Sequence, residues 1–222
     1  MKNIIYLFLF IFSIASCGSS CNRDKDKYEE VVFQFAIPLN ISPGVDTISV
    51  GQELTLTANF SDSLYDYISQ RKYYVPDFKL RTVAVIEQLT NPTASVTEQS
   101  PAGNRFSYTG DFVNIGSTFA DVNYTYVNGQ YSINAKIKAT VSGVYIIHFY
   151  YSTGTRGSTP LPSALAPSVP GIKRFPLIRQ LRYTFNNGDT HFAIYKQHCK
   201  PADPNEATNW VESKATYTFV VR

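Results

Sequence analysis

The chain predicts an all-β fold, a single antiparallel β-sandwich set behind a short N-terminal leader and tether. Three observations carry that expectation. Strand formers are abundant, with 16 Tyr and 15 Phe among 222 residues, and aromatic and β-branched side chains suit a pleated, half-buried surface. Period-two alternation of apolar and polar residues runs through several segments, as a strand with one buried face requires. Turn residues interrupt those segments, and about nine short strands with turn signals between them indicate one antiparallel sandwich. At 44% hydrophobic and 17% charged the composition is not that of a disordered chain. Three cysteines are too few for a disulfide-built scaffold.

In chain order, the first residues read as an address. Lys2 precedes an apolar run over residues 4–14, broken only by Ser13, and the small residues Ala15 and Ser16 follow. The run has signal-peptide length and falls well short of the ~20 apolar residues that span a bilayer. Ile14-Ala15-Ser16-Cys17 resembles the bacterial lipobox cut by signal peptidase II. That resemblance implies removal of residues 1–16, attachment of diacylglycerol to the Cys17 thiol, and acylation (with palmitate, for example) of the new amino terminus. A thioether cannot form on Ser or Thr. Several acyl chains, at ~0.8 kcal/mol per buried methylene, exceed what stable anchoring needs. Gly18 stands where an Asp often retains such proteins at the inner membrane, so the resemblance implies the outer membrane, with the domain facing the periplasm or the cell surface. Residues 17–29 then form a small, charged, flexible tether, and residues 30–222 a single β domain.

Residues 31–37 are a β-rich run closed by Pro38, Pro43-Gly44 is a turn, and residues 47–50 resume a strand. Residues 53–60 alternate without a break, with Leu54, Leu56, Ala58 and Phe60 on one face. Residues 61–77 read as a long polar-aromatic connection, 79–89 as a strand, 90–104 as a loop and 105–112 as a strand. Residues 122–127 and 130–140 flank Asn128-Gly129, a hairpin signal because both residues tolerate positive φ in a type I′ turn. Its second strand would turn Tyr131, Ile133, Ala135, Ile137 and Ala139 inward. Residues 142–150 form the next strand. Gly143 two residues before Tyr145 resembles the tyrosine corner of immunoglobulin-like sandwiches, which implies that variety of sandwich. Residues 153–176 read as a long loop and 177–185 as a strand. Residues 189–200 fit either a short helix or an edge strand, and residues 216–222 a terminal strand.

Chemistry-bearing motifs are scarce. The net charge is +3 with no extended Lys/Arg block, so no nucleic-acid partner is expected. CxxC, HExxH, GxSxG, P-loop and GxGxxG patterns are missing from the sequence, and no cofactor is expected. His191, His198 and Cys199 are close in sequence but lack the ligand spacing of a zinc site, so no metal is expected either. His148 reads as a packed strand residue. Asp62, Asp66 and Asp77 lack the spacing of a calcium loop and read as solvated acids. Cys21 and Cys199 are either unpaired or joined by the kind of disulfide an oxidising envelope permits.

The most suggestive group is Tyr65, Tyr67, Tyr73 and Tyr74, with Phe78, all in one connection. Such rings stack on sugars or anchor protein interfaces when they face outward; the competing expectation is that most of them pack inward. Asp46-Thr47-Ile48 and Asp62-Ser63-Leu64 resemble the O-glycosylation acceptor motif of Bacteroidota, which makes Thr47 and Ser63 candidate glycan attachment points. As a whole, the chain resembles Bacteroidota envelope lipoproteins built as lipobox, tether and immunoglobulin-like β-sandwich. Fold-level likeness alone assigns no activity; the first expectation is a non-enzymatic, membrane-anchored binding or adhesion module for a glycan or an envelope protein. The alternative is a structural accessory subunit of an outer-membrane complex. An envelope hydrolase ranks third, since it needs a pocket with converging titratable groups.

Overall fold

A computed structural model describes residues 27–89, 100–113, 115–151, 161–198 and 216–222. Cys17, Cys21 and Cys199 lie outside the described residues, and with them the lipobox and the disulfide alternative. In chain order the strands are β1 (Lys27–Ser42), β2 (Thr47–Ile48), β3 (Glu53–Ser61), β4 (Ser63–Asp66), β5 (Arg71–Tyr74), β6 (Arg81–Gln88), β7 (Ser100–Pro101) and β8 (Phe106–Gly110). They continue as β9 (Phe112–Val113), β10 (Phe119–Asn123), β11 (Thr125–Val127), β12 (Gln130–Ala139), β13 (Gly143–Tyr151), β14 (Ile172–Phe185) and β15 (Thr216–Val221). A short α-helix, α1 (Phe192–His198), stands between β14 and β15.

The strands form two sheets, and the fold is an all-β sandwich. The first runs β11-β12-β3-β1-β4-β5, with β14 on β1 and β8 on β12. The second runs β2-β15-β13-β6-β10-β9, with β7 on β6. Their inner faces meet in one core, because the alternating sets point toward each other. Phe33, Phe35, Ile37, Leu39 and Ile41 come from β1, Leu54, Leu56 and Ala58 from β3, and Tyr131, Ile133, Ala135, Ile137 and Ala139 from β12. Ala84 and Ile86, Tyr145, Ile147 and Phe149, and Tyr217, Phe219 and Val221 answer them from the second sheet. Burying one such Phe, Leu or Ile side chain stabilises the fold by about 1.5–3 kcal/mol. The β11–β12 hairpin turns through Asn128 (φ 50) and Gly129 (φ 78), as the turn type demands.

Most pairings are antiparallel, but β14 runs parallel to β1 and β2 parallel to β15. The long β1–β14 pairing moves two expected boundaries. Residues 27–29, expected in the tether, pair with Ile172, Lys173 and Arg174. Residues 172–176, expected in a loop, therefore belong to β14, and Leu161 and Ala166 ahead of them are buried. Pro176 hid the strand; β14 pairs only with β1 among the described residues, and an edge strand tolerates the missing N–H. A register shift follows Phe33, where Gln34 pairs with Gln180 rather than Arg179. This β-bulge leaves Arg179 and Gln180 both outward and returns Leu181 to the core.

Tyr145 lies buried with its hydroxyl donating to the carbonyls of Val141 (3.0 Å) and Ser142 (3.3 Å), so the corner that the Gly143/Tyr145 pair resembled is formed. A Cβ on Gly143 would sit 3.1 Å from the Tyr145 ring. The ambiguous stretch 189–200 contains the helix: Tyr195 on α1 packs with Leu89 and Ile146 on the outer side of the second sheet, and Phe192 joins them. Spacing of three residues puts Phe192 and Tyr195 on one helical face, which no strand would do.

Candidate functional site

Residues 61–77 are a hairpin rather than a connection. β3 bends at Asp62 and continues as β4, and β5 folds back on it. Two carboxylates, Asp62 and Asp66, hold this arrangement, and both are buried, which corrects the expectation that they are solvated; Asp77 is exposed, as expected. Asp62 accepts the Tyr126 hydroxyl at 2.7 Å, and its own N–H donates to the Gly129 carbonyl at 3.0 Å. Asp66, 1% exposed, accepts the Gln34 N–H on Oδ1 at 2.7 Å and the Ser69 N–H on Oδ2 at 2.8 Å. The Tyr67 N–H donates to the Gln34 carbonyl at 2.9 Å. Phe35 is thus paired with Asp66 on one side and Leu181 on the other.

The return of β5 is fixed from the core. The Tyr131 hydroxyl donates to the Val75 carbonyl at 2.6 Å and accepts the Phe78 N–H at 2.8 Å. Burial pushes the Tyr131 phenol up to about 12. The Tyr126 phenol also rises to about 12, chiefly because it donates to the Asp62 carboxylate. Both stay protonated at neutral pH and act as donors. Tyr126 and Tyr131 are opposite each other in the β11–β12 pairing, rings 4.8 Å apart, a cross-strand pair.

Alternation along β4 decides which rings face outward. Leu64 and Asp66 point in, while Ser63 and Tyr65 point out. Tyr65 lies opposite Lys72 and Ser63 opposite Tyr74, so these four share the solvent face. Tyr65 is 37% exposed, Tyr67 39% and Tyr74 65%. Tyr65 and Tyr67 meet edge to face at 5.5 Å, and the Arg182 guanidinium lies over the Tyr67 ring at 4.8 Å. Tyr73, opposite Leu64, instead packs against Phe33 at 4.9 Å, and Phe78 is buried. Three of the four candidate tyrosines are therefore together on one outward face, against the expectation that most pack inward, and the fourth is not. Arg182 and Lys72 complete the group. Arg182 arrives through the parallel pairing that sets it beside Ala36, and nothing in the sequence near Tyr67 signals it.

Of the other candidates, Ser63 is exposed on β4 beside the tyrosines, opposite Tyr74, and Thr47 is exposed on β2 beside Val220. His148 is buried with Nε2 2.9 Å from Glu87. His191 is buried against the Tyr217 ring at 4.5 Å, with Nδ1 2.9 Å from the Thr218 carbonyl and Nε2 3.4 Å from Asp46. Among the described residues no cluster of three or more His, Cys, Asp or Glu side chains is placed to hold a metal. The void between the sheets is lined by Ile41, Leu54, Ala84, Phe112, Ile147 and Phe149 among others, all apolar, and offers no group for acid–base or nucleophilic chemistry.

No protein-family model matches the chain, and no curated protein does. Among solved structures, the human F-spondin reeler domain is similar at 10% identity and a TM-score of 0.34, covering 92% of this chain and 99% of that one. The Pseudomonas fluorescens alkylpurine DNA glycosylase AlkC gives 11% identity and a TM-score of 0.30, over 54% of this chain and 27% of that one. A type II cohesin domain from the cellulosome of Acetivibrio cellulolyticus gives 12% identity and a TM-score of 0.27, over 55% and 77% of the two chains.

Proposed function

We propose that the protein is a non-catalytic binding module of a bacterial cell envelope, anchored to the outer membrane through acylated Cys17 and engaging a glycan through Tyr65, Tyr67 and Tyr74. The observation that carries the glycan reading is the outward set of three tyrosines on a sheet face, with Arg182 stacked on one of them. A solvent-facing strand position has no packing need for a large ring. Three together offer apolar faces for the C–H faces of a pyranose and hydroxyls for its rim. The hairpin that carries them is pinned by hydrogen bonds to the buried Asp66 carboxylate and from the buried Tyr131 hydroxyl, so little ordering entropy is lost on binding. The lipobox resemblance supports the anchor. The chain between Cys17 and β1 reaches at most roughly 35 Å, which keeps the domain close to the surface that holds it.

Two expected results test this. Cys17→Ser abolishes metabolic labelling with palmitate and leaves uncleaved precursor; retained labelling would remove the anchor from the reading. On a glycan array, Tyr67→Ala and Tyr74→Ala each weaken retention about 2- to 10-fold, whereas Tyr73→Phe, whose ring packs inward, leaves it unchanged. Equal retention by all three variants and the parent would move the site away from this face.

A further inference from the structure

We infer that the ligand is an extended polyanionic polysaccharide lying along the outer face of the first sheet, from the β4–β5 hairpin to the Tyr28–Phe175 end of β1 and β14. The inference rests on the glycan reading and adds length and charge to it.

Length follows from register. Opposite residues in paired strands point to the same side, and β1 turns Phe33, Phe35 and Ile37 inward. Its outer face therefore pairs Tyr28 with Lys173, Glu30 with Phe175, Val32 with Leu177, Gln34 with Gln180 and Ala36 with Arg182. At the far end Tyr28 is 67% and Phe175 46% exposed, with their rings 5.5 Å apart. The Lys173 ammonium lies 6.0 Å from the Tyr28 ring centre. This repeats the arrangement of Arg182 over Tyr67 at the hairpin end. From Tyr28 to Ala36 the strand runs roughly 26 Å at ~3.3 Å per residue, more than one or two sugars fill. Two aromatic–cation stations joined by a half-buried strip of Val32, Leu177, Gln34 and Ala36 suit a chain that passes both.

Charge follows from which residues turn outward. Lys72, Arg179 and Arg182 are exposed on this side with Lys173; Glu30 is an acid within this stretch, and Glu53, farther along the same outer face on β3, is paired with Lys136 at 2.8 Å. Glu29 faces the other way, bonded to Arg174 at 2.8 Å. Arg179 is outward because of the bulge after Phe33, which inserts one residue between Ile178 and Leu181 without disturbing either. A guanidinium stacked on a ring keeps its edge N–H groups for a carboxylate, and Arg does this in a bidentate way. Carboxylates repeated along a polymer match cations repeated along a sheet face.

The test takes the full-length chain in detergent and titrates it with polygalacturonate, alginate and hyaluronan, each beside its methyl-esterified form, which keeps the backbone and removes the charge. At least one free acid should bind about tenfold more tightly than its ester at low salt, with the gap closing as ionic strength rises. Arg182→Gln and Arg179→Gln should each weaken that polymer about fivefold without shifting the melting temperature, while Arg182→Lys recovers part of the loss. Phe175→Ala should weaken the polymer but not its disaccharide. Acid and ester binding alike would overturn the charge inference and keep the glycan reading. Undiminished polymer binding by Phe175→Ala would overturn the length. Binding of none of these, nor of any neutral glycan on the array, would overturn both readings. Binding to phosphatidylglycerol vesicles in place of every polysaccharide would give this face to the membrane and overturn the inference.

Discussion

Gly110→Ala is expected to destabilise the protein by roughly 3–4 kcal/mol, at the upper end of what single substitutions do. Gly110 closes β8 with φ +74, and a Cβ there would lie 2.2 Å from the Asn134 carbonyl oxygen. Two costs combine. An L-residue in left-handed backbone costs about 1–2 kcal/mol. The overlap adds to it, because the oxygen is fixed main chain on β12: it accepts the Asp111 N–H at 3.2 Å, and the Asn134 N–H donates to the Asp111 carboxylate at 2.6 Å. Retreat by either strand breaks this pair and the Gly110–Ala135 register beside it. Gly171→Ala separates the two costs, since Gly171 has φ +75 with nothing within 4 Å of its missing Cβ, and should lose only about 1–2 kcal/mol. Denaturant titration of both variants decides the matter. In a domain of this size the Gly110 variant should melt roughly 6–16 °C lower. Equal stabilities would show that β8 yields freely.

Legibility of the fold tracked how local its causes are. β3 and β12 were readable because alternation over adjacent residues fixes which face is buried, and the Leu54–Phe60 and Tyr131–Ala139 sets are the ones that turn inward, Phe60 only half-buried at the end. The Asn128-Gly129 turn and the Tyr145 corner needed only their own few residues. The β4–β5 hairpin was not readable. One of its two inward positions on β4 holds Asp66, and a carboxylate at a core position looks polar until the N–H groups of Gln34 and Ser69 are seen to reach it. β14 was cut short for a similar reason: its start is supported by residues 27–31, distant in sequence and parallel. The site shows the same division. Its tyrosines were identifiable as a cluster, whereas their direction depended on the hidden strand, and Arg182 depended on a long-range register shifted by a bulge.

Asp66→Ala is expected to lose about 2–4 kcal/mol of stability and to abolish glycan retention at the same time. Asp66 is the one residue of β4 that pairs with β1, and its two oxygens each serve a different N–H. Hydrogen bonds to a charged acceptor contribute about 1.5–3 kcal/mol, and removing the acceptor takes the partner from two part-buried N–H groups, of Gln34 and of the exposed Ser69. Asp66→Asn discriminates this from simple loss of packing. The amide keeps one acceptor oxygen but points an N–H donor at the second backbone N–H, so it should lie between parent and Ala, at about 1–2 kcal/mol. A packing role would leave Asn close to the parent, since its volume is nearly the same. The binding effect follows from position. Tyr65 and Tyr67 flank Asp66, and the Tyr67 N–H reaches the same residue, Gln34, whose N–H Asp66 holds. Releasing Asp66 frees the turn that sets the Tyr65–Tyr67 edge-to-face contact, so affinity should fall even under conditions where the variant is fully folded. Hydrogen exchange at the Gln34 and Ser69 amides, measured with glycan titration on the same samples, links the two effects. Parent-like protection of both amides in Asp66→Ala would mean that the hairpin is held by something other than this carboxylate.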